Sequence, residues 1–268
     1  MSKQFHLLII LLLLNIVSFA QHPNAGMIIG TRLGIAKVNT EITSGFKSTP
    51  NEFMHKVAPA FDLELSKLLF DHWELGTDFS ITFLRGDTDN PNFSAEGIHP
   101  SMLSPVTEPV EYKNQLLGQK VFVGYYFKSI ERYEYPFKLE PFIRLGIGYD
   151  AFTSQFKYIE APDNELIFGK NTGKYKAAKL FSNNLFITMG IKSYTSNHLF
   201  FTTTFSLIYS DYDFLDVVHN YNADGTHANL RGIYSEIKLG IFYHSNELGK
   251  HKSRKGHYSK EVLPFSGK

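Results

Sequence analysis

The sequence predicts an all-β fold: a single eight-stranded antiparallel transmembrane β-barrel with long extracellular loops and short periplasmic turns. Three observations point there. Eight stretches alternate strictly between apolar and polar residues, the polar positions repeatedly carry full charges, and the connections between stretches alternate between short and long. The last stretch shows the first two together. Ile233, Ser235, Ile237, Leu239, Ile241 and Tyr243 fall on one face, while Tyr234, Glu236, Lys238, Gly240, Phe242 and His244 fall on the other. A soluble ligand-carrying barrel turns its apolar face inward, whereas a barrel that crosses a bilayer turns it outward and keeps its ions inside.

Taken in order, strands are expected at 26–38, 57–68, 72–84, 119–129, 139–152, 184–194, 198–211 and 230–244. The links around Phe70 and Asp71, from Ser129 to Lys138, and at Ser196 and Asn197 are short. Those at 39–56, 85–118, 153–183 and 212–229 are long, so all long loops share one rim and both termini share the other, expected to be periplasmic. Outward positions read Met27, Ile29, Leu33 and Ile35 on the first strand, Phe61, Leu63 and Leu65 on the second, and Leu75, Phe79 and Ile81 on the third. Aromatic girdles are expected from Trp73, Phe127 and Tyr243 at the periplasmic interface and from Phe83, Tyr149 and Tyr209 at the outer one. Pro59 and Pro141 fall near strand ends, where a missing ladder donor costs least.

The chain ends have their own character. Residues 1–20 combine Lys3, an apolar run from Leu7 to Leu14, and small residues Ser18 and Ala20, the pattern of a secretory signal peptide. That run is too short for a helix crossing a ~30 Å hydrocarbon core. Residues 21–245 then form the barrel, and 246–268 a basic periplasmic tail carrying Lys250, Lys252, Arg254, Lys255, Lys260 and Lys268, expected to be disordered or to act as a docking arm. There is no cysteine, which excludes disulfides, thiolate chemistry and a lipoprotein anchor. With 24 Phe and 15 Tyr against a formal net charge of +1, the composition suits aromatic-girdled strands and argues against a nucleic-acid partner.

Parity places Arg32, Asp62, Glu64, Glu74, Asp78, Lys120, Lys128, Arg144, Asp150, Lys192, Glu236 and Lys238 inside the barrel. Acids and bases are equal in number there. An eight-stranded barrel is just wide enough for its own side chains, so these ions are expected to pair as a structural plug rather than to line a path for protons or solutes. A tight turn near Phe70 and Asp71 would set Asp62 opposite Asp78, with Arg32 or Arg144 supplying the cation between them. Glycines at 34, 76, 124, 146, 148, 190 and 240 are expected to make room for the Lys and Arg stems.

The chain resembles the small eight-stranded outer-membrane barrels of Bacteroidetes, the PorT-like and OmpX/OmpA-like barrel families. The resemblance rests on Ala20 followed by Gln21, on Gly30-Thr31-Arg32-Leu33-Gly34, on the run from Pro141 to Tyr149, and on Lys238-Leu239-Gly240-Ile241-Phe242-Tyr243. It covers residues 21–244. The closing strand looks like the signal read by the barrel-assembly machinery, with His244 and Ser245 in place of the expected aromatic end. The resemblance implies a Gram-negative outer-membrane location with lipid and lipopolysaccharide around the barrel, and an accessory role in envelope assembly, secretion or adhesion through the loops or a periplasmic or secretion-system partner.

That role is non-enzymatic, and no cofactor or metal is expected. A narrow pore for protons or small solutes is the alternative, and a lipid A- or peptide-modifying enzyme the second. For the enzyme reading, His244-Ser245-Asn246 approaches the His-x-Ser-Asn setting of lipid A deacylases with the wrong spacing. Asp213, Asp216, His219, Asp224 and His227 could form an Asp-His base or a weak metal site, although a polar loop tip has the same composition. Asp87, Asp89 and Asn90 alternate oxygen ligands without the Gly and distant Glu of a calcium loop.

Overall fold

A computed structural model describes residues 26–42, 53–69, 72–89, 108–127, 139–160, 166–168, 181–196, 198–211, 215 and 231–245. The ordered elements are all strands: β1 Met27–Ile42, β2 Met54–Lys56, β3 Ala58–Leu68, β4 Trp73–Thr88, β5 Val110–Tyr126, β6 Leu139–Tyr158, β7 Leu166–Phe168, β8 Phe181–Tyr194, β9 Leu199–Ser210 and β10 Arg231–His244. Two are three-residue additions, β2 beside β4 and β7 beside β6. The other eight are antiparallel neighbours in a closed ring, with β1 joining β10 and β4 joining β5.

Closure can be followed residue by residue. Starting from Gly30, the directly paired residues run through Glu64, Asp78, Lys120, Gly148, Asn184, Ser210 and Gly232, and return to β1 at Glu41. One of the positions gained on β1 is the irregularity between Val38 and Thr40, so the ring closes with a stagger of about ten residues. Such a stagger tilts the strands by roughly 40° and leaves a lumen that side chains fill.

The alternation read from the sequence is the alternation of burial. On β10, Gly232, Tyr234, Glu236, Lys238, Gly240, Phe242 and His244 are buried, whereas Ile237, Leu239, Ile241 and Tyr243 are exposed. Outside, Leu33 is 65% exposed, Leu239 64% and Ile147 61%, values that only a non-aqueous surround makes favourable in a continuous belt. The start of β1 and the end of β10 lie together, with Ile28 opposite His244, so both fall at one rim.

The structure corrects several expectations. Five strands run further at the far rim than alternation suggested: β4 reaches Thr88, β5 begins at Val110 rather than 119, β6 reaches Tyr158, β8 begins at Phe181 rather than 184, and β1 reaches Ile42. The segment between Gly86 and Gly118 therefore contains a paired ladder, from Thr88 opposite Val110 inward. Polar outward residues such as Arg85, Lys113 and Gln155 hid it, because beyond the apolar belt both faces of a strand can be polar. The β3–β4 hairpin is also centred one residue later, with Leu68 opposite Glu74 and Leu69 N donating to Trp73 O at 2.9 Å. Asp62 consequently faces Ser80, and Glu64 faces Asp78. The signal peptide, the basic tail and Lys128 lie outside the described residues.

Candidate functional site: the ionic lumen

The lumen is layered. Toward the far rim it is apolar, with Ala36, Val38, Leu84, Leu116, Phe152, Phe156, Ile208 and Tyr234 in one cluster joined by Phe53 and Leu215. Toward the termini it is again apolar, with Ile28, Tyr194, Phe200 and Phe242 in one group and Tyr126 and Phe142 in another, Leu68 packing against both. The charges lie between.

Arg144 on β6 anchors one half of this middle layer. Its two Nη groups donate to both oxygens of Glu64 at 2.8 and 2.9 Å, while Nε and Nη2 reach Glu74 Oε2 at 3.2 and 3.0 Å. Glu74 also accepts from Ser66 Oγ and Tyr126 Oη, both at 2.5 Å. Lys192 lies 3.9 Å from Glu74 and donates to the Tyr126 hydroxyl. A planar five-donor guanidinium suits this double clasp, and a lysine would not reproduce it.

Arg32 on β1 anchors the other half. It contacts Asp62 at 2.8 Å, Glu64 at 3.0 Å and Asp78 at 3.4 Å. Lys238 bridges Asp62 at 2.9 Å and Glu236 at 2.6 Å, Thr82 Oγ1 donates to Glu236 at 2.6 Å, and Lys120 approaches Glu236 at 3.7 Å. Asp150 accepts from Asn184 Nδ2 at 2.7 Å and from Tyr234 Oη at 3.3 Å. Glu64 is thus held by both arginines and links the two halves.

The cations also rest on rings, and the rings rest on glycines. Arg144 lies 4.4 Å from the Phe122 centroid and 4.7 Å from that of Phe142, Lys120 5.6 Å from Phe186, and Arg32 5.9 Å from Phe242. Phe122 faces Gly76 across the ladder, Phe142 faces Gly190, Phe186 faces Gly146, and Phe242 faces Gly30. A Cβ at any of these glycines would overlap the ring opposite. Gly124, Gly148 and Gly240 do lie against the Arg144, Lys120 and Arg32 stems, as their position suggested. Gly76, Gly146 and Gly190 instead seat aromatic rings, and Gly34 faces the backbone of Ile237 and Lys238, so the expectation that all seven clear space for basic stems is corrected.

The expected interior residues Arg32, Asp62, Glu64, Glu74, Asp78, Lys120, Arg144, Asp150, Lys192, Glu236 and Lys238 are all buried in this layer. Two groups were missed. Glu140, buried and accepting from Tyr194 Oη at 3.0 Å, is inward by parity with Phe142. The inward aromatics could have been read from their cross-strand glycines had the register been known. Of the girdle residues, Trp73, Phe127 and Tyr243 are exposed at the termini rim, where Tyr125 meets both Trp73 and Phe127 edge-on. Phe83 is exposed toward the opposite ends, where Tyr149 and Tyr209 are half-buried. His244 is buried, and Ser245 Oγ accepts from the Met27 backbone N–H at 2.8 Å, so this pair is occupied in strand closure. Asp87 pairs with Lys56 at 2.8 Å, and no group of three metal-binding side chains occurs among the described residues. Asn90 and the Asp and His residues of 212–229 lie outside them.

A closed antiparallel barrel with ions inside and an apolar belt outside has the architecture of an outer-membrane-type β-barrel. No family model and no curated protein matches the chain. Among solved structures it is similar to Neisserial surface protein A, at 12% identity, covering 81% of this chain and 96% of that one with a TM-score of 0.40. It is also similar to Escherichia coli outer membrane protein W, at 13% identity, 82% and 98% coverage and a TM-score of 0.38. The E. coli outer membrane protease OmpT is matched at 10% identity, 84% and 99% coverage and a TM-score of 0.33. At these values no residue role carries over, and the barrel assignment rests on the chain's own register.

Proposed function

We propose that this chain is a non-enzymatic outer-membrane barrel whose lumen is a structural plug and whose activity resides on its surface. The observation that carries this is the engagement of the ions: Arg144 spends its donors on Glu64 and Glu74, Arg32 on Asp62, Glu64 and Asp78, and apolar clusters close the layer on both sides. A catalytic carboxylate or an ion path needs a group with an open coordination side toward solvent. In this reading the rim with the termini is periplasmic, residues 1–20 direct export, and the closing strand is handed to the barrel-assembly machinery. The finer resemblance to PorT-like Bacteroidetes barrels favours an accessory role in assembly, secretion or adhesion, with the 246–268 tail or the loops engaging a periplasmic or secretion-system protein. Planar-bilayer recording of the purified protein tests the plug: no steady conductance is expected, and ohmic single channels would replace this reading with the pore. Unchanged lipid A mass spectra in a deletion strain are expected as well, and a lost modification would make the protein an enzyme.

A further inference from the structure

Beyond the apolar belt, the ladder at the far rim sets cations side by side. Lys56 is directly opposite Arg85, and Arg85 is directly opposite Lys113. All three are exposed. Like charges facing each other across a sheet destabilise it, so a row of three calls for an anion. The carboxylates of the next row, Asp87 and Glu111, reach only the flanks: Asp87 to Lys56 at 2.8 Å, and Glu111 to Lys113 at 3.4 Å and to Lys157 at 2.6 Å. Among the described residues Arg85, at the centre of the row, has no carboxylate within ion-pair reach.

The backbone is shaped to build this row. Ala58 is buried, yet both Val57 and Lys56 are exposed, so the parity of β3 breaks at Val57 and turns Lys56 outward beside Arg85. The Val57 carbonyl then accepts from Arg85 Nε at 2.8 Å, which orients the guanidinium and leaves its Nη donors for a ligand. Exposed Lys37 on β1 adds a further cation on the far-rim side of the belt, two residues past exposed Ile35.

Depth identifies the anion. On β4, Arg85 is two residues past the exposed Phe83 that ends the apolar belt, which at ~3.3 Å per residue and a tilt of ~40° is roughly 5 Å along the bilayer normal. The headgroup zone outside a ~30 Å core is about that thick. We propose that Lys56, Arg85 and Lys113, flanked by Lys37, form a binding row for the phosphate groups of an outer-leaflet lipid headgroup, held against the β1–β5 face of the barrel. The proposal rests on the outer-membrane placement given above.

The test reconstitutes the full-length protein in three kinds of vesicle: phosphatidylcholine alone, phosphatidylcholine with bis-phosphorylated lipid A, and phosphatidylcholine with lipid A stripped of both phosphates. The readout is the midpoint of the heat-modifiability transition. Phosphorylated lipid A should raise the wild-type midpoint, the stripped lipid should not, and millimolar inorganic phosphate should not substitute for it. The rise should shrink as salt screens the row. In the K56Q/R85Q/K113Q variant the rise should disappear, while the midpoint in phosphatidylcholine alone should stay near wild type because the relieved repulsion offsets the lost Lys56–Asp87 and Lys113–Glu111 pairs. Equal stabilisation by the stripped lipid, or a variant that keeps the full rise, overturns the proposal. If the variant fails to fold, the wild-type comparison of the two lipid A forms decides alone. A wild-type protein that does not insert into phosphatidylcholine at all would instead overturn the membrane placement, and the row's assignment with it.

Discussion

Around Arg144 the lumen is held by directional contacts, a guanidinium shared between two carboxylates and lying over two phenyl rings. Further along the same strands, toward the far rim, Leu84, Leu116, Phe152 and Ile208 fill the same cylinder by contact alone. The difference shows how one narrow tube can be both specific and closed. Ions in the middle define which strand neighbours which, because a carboxylate without its arginine is a buried unpaired charge. Apolar ends tolerate rearrangement but keep water from the ions, which strengthens the pairing they enclose.

The ionic centre should respond most strongly to substitution. Arg144→Leu strips Glu64 and Glu74 of their main cation, and a loss of about 3–5 kcal/mol is expected in urea unfolding from lipid vesicles. Adding Glu64→Gln and Glu74→Gln should recover part of it, since the buried charges are then removed rather than orphaned. Arg32→Leu should cost less, about 3 kcal/mol by the same reasoning, because Lys238 still holds Asp62 and Arg144 still holds Glu64. The same denaturation series measures it, and a cost above that of Arg144→Leu would mean that the two halves of the layer are ranked wrongly.

At the apolar end, Leu84→Ala should cost about 2–3 kcal/mol through lost burial and the cavity left. Combined with Arg144→Leu it should be additive within about 0.5 kcal/mol. A larger coupling would show that the apolar end and the ionic layer act as one unit.

The smallest effect concerns the mouth. His55 shares a 2.8 Å hydrogen bond with Tyr112 Oη and is ringed by Phe53 and Tyr112. Burial, helped by the nearby Lys37 charge, lowers its pKa from the usual 6.5 to about 4. A base whose folded pKa is depressed favours the neutral form in the folded state. Its contribution is therefore complete above about pH 6.5 and is lost as the pH falls toward 4. Hydrogen exchange at the β2–β4 pairing should accelerate over that window in the wild type and not in His55→Phe, whereas a pH-independent rate in both would remove His55 from the mouth's stability.

Much of this molecule is legible without coordinates. Alternation on the closing strand places Glu236 and Lys238 inward and Leu239 outward, and the structure has them there because a pleated strand offers only two faces. The outward ends of β4, β5 and β6 were not legible. Past the belt, Arg85, Lys113 and Gln155 are as polar as a loop, so periodicity fades where the pairing continues. The β3–β4 register illustrates the other limit. Shifting the centre of the pairing by one residue moves Asp62 from Asp78 to Ser80 while leaving every side chain on the same face, so no pattern of polarity could have revealed it.

The eight long strands, their two faces and most of the enclosed ions were legible in the amino-acid pattern, Glu140 being the exception, since each follows from local geometry and the polarity of single residues. Which ion meets which emerged from the closed ring alone: Arg144 clasps Glu64 and Glu74 from 80 and 70 residues away, Glu64 joins both arginines, and phenylalanines fold onto glycines across the ladder. Those partnerships depend on the stagger with which the sheet closes on itself, a property of the whole ring that no one segment carries.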